Sequence, residues 1–459
     1  MRMQLRTDEK RHNTDPLATE GTHETREELL VSPLSIEHTG LHFSLLSDLA
    51  LKTAYSAGEL TGQEMAQALR LPFTGVVDGV LAFLDRQKLV QVTGSVGFGE
   101  RAFRYAVSKK GSEQARELLD RCQYVGPAPV TLEAYNELTR MQGLRGLAVG
   151  RDQLLGAFGG LVLDDRTLSK LGAALNSGRS IFLYGPSGNG KTSIARAMAR
   201  VLGQDGIYIP YAAEIGGQII RVYDEYNHKR KTPSLPRLVR LGPSVAESDE
   251  QDDRKLDERW ILIERPVVIV GGELNLNSLD LIHDPINNYY EAPYQMKANG
   301  GMFLIDDFGR QQSDPRDLLN RWIVPLETHV DYLTLHTGKK IDIPFEQLVV
   351  FATNIDPARL VDAAFLRRIH HKIKVDDPSP TQFRRVFELV CQRRGVPFDE
   401  ETFSYVIENW YEKPQRALRN SHPRDLIDQI LDISKFEGRI PRLTPALIDR
   451  ACDAFFADL

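Results

Sequence analysis

The stretch Gly185-Pro186-Ser187-Gly188-Asn189-Gly190-Lys191-Thr192 decides the fold. It follows the apolar run SIFLY (180–184) and precedes a helix-forming segment that begins at Ser193. It fits the pattern G-x-x-x-x-G-K-[ST] in the strand–loop–helix context that the pattern requires. Gly188 and Gly190 permit positive φ, so successive backbone N–H groups face one anion, and the helix N-terminus adds positive partial charge.

This loop predicts a nucleoside triphosphate site formed by the eight quoted residues and Ser193. Lys191 would reach the β- and γ-phosphates, and the Thr192 hydroxyl would face Mg²⁺. The alternative is a glycine-rich turn between a strand and a helix that matches the pattern by chance.

Around the loop, strand-like apolar runs alternate with helical patterns over residues 150–376, which predicts a mostly parallel α/β sheet covered by helices. The runs are 180–184, 206–211, 266–270, 302–305, 348–352 and 372–375. Residues 377–459 carry four further helical patterns, at 381–394, 400–411, 423–436 and 444–456.

Two carboxylates end one of the apolar runs, in Met302-Phe-Leu-Ile-Asp306-Asp307. The carboxyl ends of parallel strands face the crevice in which ligands of open α/β sheets bind. Asp306 would therefore hold the Mg²⁺ shell, and Asp307 would polarise the water that attacks the γ-phosphate. The alternative for each residue is an acidic N-cap after a strand.

Further polar residues follow the later runs. Asn354 could orient the attacking water, or it could be a turn residue before Asp356-Pro357. Arg367 and Arg368 are adjacent and cannot share one helix face, so at most one points into a given surface. The alternative for both is a solvated helix end. Arg424 lies in the first turn of a helix, where a cation is unfavourable, which suggests that it answers an anion elsewhere.

These motifs, in this order and followed by a helical tail, resemble the AAA+ ATPase superfamily over about residues 150–459. The resemblance implies an αβα core with a C-terminal helical lid, ATP and Mg²⁺ as cofactors, and a homo-oligomeric ring, usually a hexamer. It also implies that Asn354 is sensor 1, that Arg424 is sensor 2, and that either Arg367 or Arg368 is the finger completing a neighbour's site.

Two features refine the resemblance. The superfamily usually has Asp-Glu where this chain has Asp306-Asp307, and the shorter side chain puts fast turnover in question. Lys297-Ala-Asn-Gly-Gly301 resembles a stretch of the σ54-activator, MoxR-like and magnesium-chelatase-like members, and the segment 211–298 has room for their inserted loops. No pore loop and no σ54-contacting tip motif is evident.

Residues 40–125 predict a winged helix-turn-helix-like domain, with three helices and then a hairpin with a glycine-rich turn at residues 94–99. Over residues 42–125, ten Lys/Arg stand against nine Asp/Glu, a balance of +1. The predicted recognition helix, 72–87, has one arginine, and the hairpin has Arg101 and Arg104. This charge favours a protein-contact module, with nucleic-acid contact as the alternative.

The 459 residues carry a net charge of −6, which argues against a protein that wraps polyanions by bulk charge. No apolar run reaches the ~20 residues of a membrane helix, the first residues are too polar for a secretory signal, and the three cysteines are far apart. We therefore expect a cytoplasmic protein without membrane contact. Residues 1–30 are expected to be a disordered tail, 126–149 a linker, and 246–259 an acidic solvated loop.

Three functions are consistent with these patterns. The first is an ATP hydrolase that works in a ring to remodel a protein client. The second is a DNA-associated ATPase switch that uses the winged-helix-like domain. The third is a nucleotide-binding protein without turnover, motivated by Asp307.

Overall fold

The computed structural model describes residues 26–203, 205–232, 238–239, 254–360 and 363–456. The helices in the first half of the chain are α1 (Phe43–Ala57), α2 (Gly62–Leu69), α3 (Asp78–Arg86), α4 (Lys109–Arg121), α5 (Leu132–Met141), α6 (Arg151–Phe158), α7 (Asp165–Ser177) and α8 (Lys191–Leu202). Those of the second half are α9 (Tyr294–Lys297), α10 (Pro315–Thr328), α11 (Pro357–Leu360), α12 (Ala363–Leu366), α13 (Pro380–Arg394), α14 (Glu400–Val406), α15 (His422–Phe436) and α16 (Pro445–Phe455).

The strands up to residue 239 are β1 (Glu59–Thr61), β2 (Val90–Ser95), β3 (Phe103–Val107), β4 (Val130–Thr131), β5 (Ile181–Tyr184), β6 (Gly206–Pro210), β7 (Ala212–Ile215), β8 (Gln218–Arg221) and β9 (Leu238–Val239). The later strands are β10 (Arg254–Lys255), β11 (Trp260–Glu264), β12 (Val267–Val270), β13 (Ile282–His283), β14 (Tyr290–Glu291), β15 (Met302–Ile305), β16 (Val330–Thr334), β17 (Lys340–Pro344), β18 (Leu348–Thr353) and β19 (His371–Lys374). Short 3-10 and π-helical turns cover Glu28–Leu30, Glu37–Thr39, Phe73–Val77, Glu100–Ala102, Leu276–Leu279 and Ile407–Glu412.

The core sheet has the strand order β12-β15-β18-β5-β19, and all its pairings are parallel. Its strands are nearly continuous apolar runs because both faces of a parallel sheet are covered. Ile181 and Leu183 pack with α6, α7 and α8 on one face, whereas Phe182 packs with α10 on the other. The sequence prediction of an αβα arrangement with a parallel sheet is thus confirmed.

The run at 206–211 was expected to belong to this sheet, and that expectation is wrong. Residues Gly206–Pro210 form β6, which pairs antiparallel with β11 in a separate two-stranded ribbon. Ile207 and Ile263 bury their side chains in a small cluster of their own. An apolar run predicts a strand but does not reveal its partner.

The prediction of a linker at 126–149 is also wrong for part of that range. Val130–Thr131 is β4, which pairs with β7 at the edge of a second five-stranded sheet, here called the insert sheet (β13-β14-β8-β7-β4). The following helix α5 begins at its N-cap Thr131 and buries Tyr135 and Leu138 in the core beside this sheet. A packed strand and helix thus join the first domain to the ATPase-like core.

The N-terminal unit (residues 41–122) contains α1 to α4 and the antiparallel sheet β1-β3-β2. The predicted capping box at Thr61 and Glu64 is present, and Gly58 ends α1. The third predicted helix is interrupted, because Thr74 and Gly75 have non-helical backbone angles and the regular α3 begins at Asp78. Strand β1 and helix α4 were not predicted from the sequence.

The N-terminal unit packs directly on the insert sheet. Ala212 and Ile219 of that sheet belong to the same buried cluster as the side chains of α1 and α3. The Arg259 guanidinium, which is 5% exposed, bonds to the carbonyls of Thr39 at 2.9 Å and Pro129 at 3.2 Å, and it pairs with buried Asp257. The expected acidic solvated loop is therefore wrong at residues 257 and 259, and residues 246–253 lie outside the described residues.

The tail prediction can be compared only where the chain is described, since residues 1–25 lie outside that part. Glu28–Leu30 forms a 3-10 turn, and Leu30 is 4% exposed. The disordered tail is therefore wrong for these residues, because Leu30 packs into the cluster around Trp260 and Tyr135.

The helical unit (α13 to α16) contains the four helices expected after residue 377. They share a core formed by side chains such as Phe383, Phe387, Leu426 and Ile448. Ser379 caps α13 with a capping box. The second predicted helix, 400–411, continues from α14 into a π-helical turn, Ile407–Glu412.

No single helix in the described parts of the chain is long and apolar enough to cross a membrane. One bent pair, Gly62–Leu69 with Phe73–Arg86, passes by length and composition alone and is bent by 77°. All three cysteines are free, and burial raises the pKa of Cys391 and Cys452 to about 12.

Candidate functional site

The glycine-rich loop leaves β5 at the carboxyl edge of the core sheet and enters α8 at Lys191. Gly185, Gly188 and Gly190 have φ of 140°, 82° and 84°, a region that side chains rarely adopt. A Cβ on Gly185 would lie 2.2 Å from the Val375 carbonyl oxygen, so the loop passes against the end of β19. The sequence glycines are therefore required by backbone angle and by close approach.

Lys191 is the centre of the loop. Its side chain is buried, and Nζ donates hydrogen bonds to the carbonyls of Gly185 at 2.9 Å and Pro186 at 3.0 Å and to Asn354 Oδ1 at 2.7 Å. Burial lowers the pKa of Lys191, and the negative charges of Asp307 and Asp306 oppose that effect. All three donors of the ammonium are thus used within the loop and its neighbouring strand.

Thr192 and Asp306 lie together at the predicted metal position. Thr192 Oγ1 donates to Asp306 Oδ2 at 2.7 Å, and Asp306 follows β15 directly. A hydroxyl and a carboxylate are oxygen donors of the kind that Mg²⁺ uses beside substrate phosphates and water, so the donor set fits this ion. No group of three or more His, Cys, Asp or Glu residues within the described ranges could hold a metal ion alone. The donors are therefore those of a metal that arrives with phosphates.

Asp307 and Asn354 face the same point. The Asn354 amide nitrogen donates to Asp307 Oδ1 at 3.3 Å while its oxygen accepts from Lys191. Asp307 has φ of 47°, an uncommon angle for a residue with a side chain, and its backbone N–H donates to Asp306 Oδ1 at 3.0 Å. The interpretation of Asn354 as a turn residue alone is wrong, because its side chain connects the lysine to the second aspartate.

A cavity of about 610 Å³ opens over the loop. Its polar floor contains Lys191, Thr192, Asp306, Asp307 and Asn354. Its apolar walls come from two elements that were not predicted from the sequence, and their residues are Leu161, Val162, Leu163, Val386, Leu389 and Val390. This combination of an anion-binding floor and facing apolar walls suits a nucleotide, whose base is flat and apolar on its faces.

The tip of the loop is held by the segment that precedes α15. Asn189 donates to Asp377 Oδ1 at 2.7 Å and accepts from the Asn420 backbone N–H at 3.3 Å. Arg419 pairs with the same Asp377 oxygen. A Cβ on Gly188 would lie 2.6 Å from Ser421 Oγ. The phosphate loop and the helical unit are therefore in direct contact, which no local sequence pattern signals.

Three arginines of the helical unit line the cavity: Arg393, Arg394 and Arg424. Arg393 donates to the Gly160 carbonyl at 3.1 Å, and Arg394 pairs with Asp428. Arg424 pairs with its neighbour Asp425 at 2.9 Å and is largely exposed. Its unfavourable place in the first turn of α15 is thus partly compensated by Asp425, and the guanidinium remains at the cavity edge.

Arg367 and Arg368 lie elsewhere. They line a second cavity, of about 770 Å³, at the opposite edge of the core sheet, where β5, β18 and β19 begin. Arg368 pairs with Glu327 at 2.5 Å, whereas Arg367 is exposed. The structure therefore brings neither arginine to the phosphate loop of its own chain.

Comparison with known proteins gives partial matches. Residues 379–454, which are the helical unit, match a sequence family described as a domain of unknown function (DUF8689). Among curated proteins, no sequence matches the chain.

Two solved structures share part of the fold. NtrX from Brucella abortus in complex with ADP has a TM-score of 0.37 and 11% identity, and the match covers 64% of this chain and 56% of that one. The P216G mutant of RuvB from Thermotoga maritima has a TM-score of 0.35 and 10% identity, with coverages of 68% and 72%. The chain thus spans little more than half of NtrX, and the site is assigned on its own geometry.

Proposed function

We propose that the protein is an AAA+-type ATPase that binds Mg·ATP and converts ATP and water to ADP and phosphate. One observation carries this proposal. The Thr192 hydroxyl and the Asp306 carboxylate are 2.7 Å apart beside the buried Lys191, on the floor of a cavity with apolar walls. A glycine-rich turn without this function would not need an acidic partner from a separate strand at that position.

The chain's own residues bind and orient the nucleotide in this proposal. The backbone N–H groups after Gly188 and the N-terminus of α8 face the phosphates. Lys191 exchanges its contacts with Gly185 and Pro186 for phosphate oxygens. Thr192 and Asp306 would hold Mg²⁺, which supplies charge neutralisation between the phosphates when it is bound.

Asp307 and Asn354 would position the attacking water. Their side chains are joined at 3.3 Å, so each restricts the rotamers of the other. Asp307 is one methylene shorter than the glutamate common in the superfamily, and the uncommon φ of 47° displaces its backbone locally. We propose slow turnover as the consequence, rather than nucleotide binding without hydrolysis.

The proposed machine is a cytoplasmic homo-oligomeric ring, a hexamer, that acts on a protein client. The position of Arg367 at the edge of the sheet away from its own loop supports a contact with a neighbouring subunit. Arg367 is the better candidate for that contact, because it is exposed while Arg368 is held by Glu327.

The N-terminal unit is proposed to contact protein rather than DNA. Arg101 donates to Thr74 at 2.7 Å, and Arg104 pairs with Glu59 at 3.1 Å, so both hairpin arginines are engaged within the unit. The hairpin tip instead exposes Val96 and, fully, Phe98. Exposed apolar side chains at such a tip are typical of a protein contact.

Hydrolysis of ATP by the purified chain tests this function. Asp306→Asn should lower the rate by at least tenfold, and Asp152→Asn, an exposed aspartate away from the cavity, should leave it unchanged. Equal rates in both variants would contradict the assignment of the site. Sedimentation in saturating Mg·ATP tests the ring, and a monomer with active hydrolysis would contradict it.

A further inference from the structure

The second cavity lies where the core strands begin. Arg179 and Ser180 precede β5, Gln347 precedes β18, and His370 precedes β19, and all four line the cavity of about 770 Å³. Since the strands are parallel, this edge is opposite to the phosphate loop. The cavity is therefore separate from the nucleotide site of the same chain.

Positive charge dominates its lining. Four arginines, Arg145, Arg179, Arg367 and Arg368, stand against one carboxylate, Glu327, which pairs with Arg368. The guanidiniums of the other three arginines have no ion-pair partner among the described residues. Three uncompensated guanidiniums at one concave site create a local field that attracts anions.

Two histidines of the lining are held near neutrality. Burial first, and then the charges of Arg145 and Arg179, lower the pKa of His329. Burial and the charge of Arg179 also lower the pKa of His370, whose ring contacts the Arg179 guanidinium. A neutral imidazole can still donate one N–H to an anion.

Gln347 gives an independent indication of a ligand. Its side chain is only 6% exposed, lines the cavity, and has no hydrogen-bond partner for either its amide nitrogen or its amide oxygen. A buried polar group without a partner is costly, and such groups are rare in native proteins. An anion in the cavity would accept the bond that the amide nitrogen lacks.

We propose that this cavity binds a phosphate group, held by Arg145, Arg179 and Arg367 and by the amide of Gln347. The planar guanidinium matches phosphate oxygens in pairs, and three of them exceed what a single carboxylate can accept. The phosphate has two possible sources. It is either free inorganic phosphate or the terminal phosphate of a nucleotide bound to a second copy of this chain, and only the second source rests on the proposed function.

Titration with inorganic phosphate tests the first source. The full chain carrying Lys191→Met is used as the background, so that the phosphate loop contributes little, and binding is measured by calorimetry. Adding Arg179→Gln or Arg145→Gln should weaken phosphate binding about tenfold or more, as expected for loss of a charge-assisted bond. Arg166→Gln, an exposed arginine of α7 outside the cavity, is the matched control and should change nothing.

Assembly tests the second source. With Lys191 intact, Arg179→Gln should lower Mg·ATP-dependent association in sedimentation at least tenfold, and Arg166→Gln should not. Phosphate binding without any effect on assembly assigns the site to free phosphate, and the reverse result assigns it to the neighbour's nucleotide. Unchanged phosphate binding and unchanged assembly in both cavity variants would overturn the proposal. A chain that binds no ATP would still give a clear answer in the phosphate titration.

Discussion

Replacement of Lys191 by methionine should weaken nucleotide binding by a moderate, calculable amount. Methionine has a similar length and no charge, so it fills the same buried space. Two charge-assisted bonds to phosphate oxygens are lost, which contribute about 3–6 kcal/mol in total. Before it can make them, Lys191 must give up the Gly185 and Pro186 carbonyls at 2.9 and 3.0 Å, which costs about 1–3 kcal/mol.

The balance is about 2 kcal/mol, which corresponds to a rise in Kd of about 30-fold. Titration of a fluorescent ATP analogue in Mg²⁺ measures this change. Lys170→Met is the matched control, because Lys170 is exposed on α7 and does not line the cavity. Its Kd should equal that of the unmodified chain.

The ligand-free protein should tolerate Lys191→Met. Loss of three hydrogen bonds is offset by removal of a buried charge, whose desolvation already lowers the pKa of Lys191. A thermal midpoint within a few degrees of the unmodified chain is therefore expected. A Kd within threefold of that chain, in a folded variant, would refute the reasoning, since it would mean that Lys191 keeps its carbonyl contacts when nucleotide binds.

Three further outcomes are expected. Asp307→Asn should leave ATP affinity within threefold and lower the hydrolysis rate at least tenfold, measured as phosphate release, and an unchanged rate would exclude Asp307 from water activation. Asn189→Ala should lower the free energy of unfolding in urea by about 1–3 kcal/mol, because it loses bonds to Asp377 and to the segment before α15, and no change would contradict the contact. Burial alone would raise the pKa of Asp224, but the bond from Lys297, a backbone N–H and the lysine charge lower it to about 2, so this pair contributes about 2 kcal/mol above pH 4 that is lost as pH falls toward 2. Lys297→Met should abolish that pH dependence in urea unfolding, and a persistent dependence of equal size would contradict it.

The sequence predicted the floor of the site because two local rules combine there. The glycine-rich loop is contiguous, and Asp306 and Asn354 each follow a buried strand. In a parallel sheet those carboxyl ends meet at one edge, so their convergence with Lys191 follows from topology. The confirmed parallel sheet is what makes this inference work.

The walls of the cavity could not be predicted in the same way. Leu161, Val386 and Val390 are ordinary apolar residues in sequence, and only the docking of the helical unit places them opposite one another. The contact between Asn189 and Asp377 is likewise tertiary, since about half the ATPase-like region separates the two residues.

Other errors came from signals that were present but weighted wrongly. Leu132, Tyr135 and Leu138 have helical spacing and predict a buried face, yet the neighbouring prolines favoured a linker. Asp257 and Arg259 stood in a charged run, which usually predicts solvent exposure. Their burial depends on each other and on carbonyls more than one hundred residues away.

The attachment of the N-terminal unit has a mechanical consequence. Strand β4 is hydrogen-bonded into the insert sheet, and Arg259 joins carbonyls on both sides of the junction. With no free hinge there, the unit behaves as an arm on the core rather than as a tethered domain. A small rotation of the core about the nucleotide would be multiplied by the length of that arm, so the largest displacement in the molecule would occur at the exposed hairpin tip around Phe98.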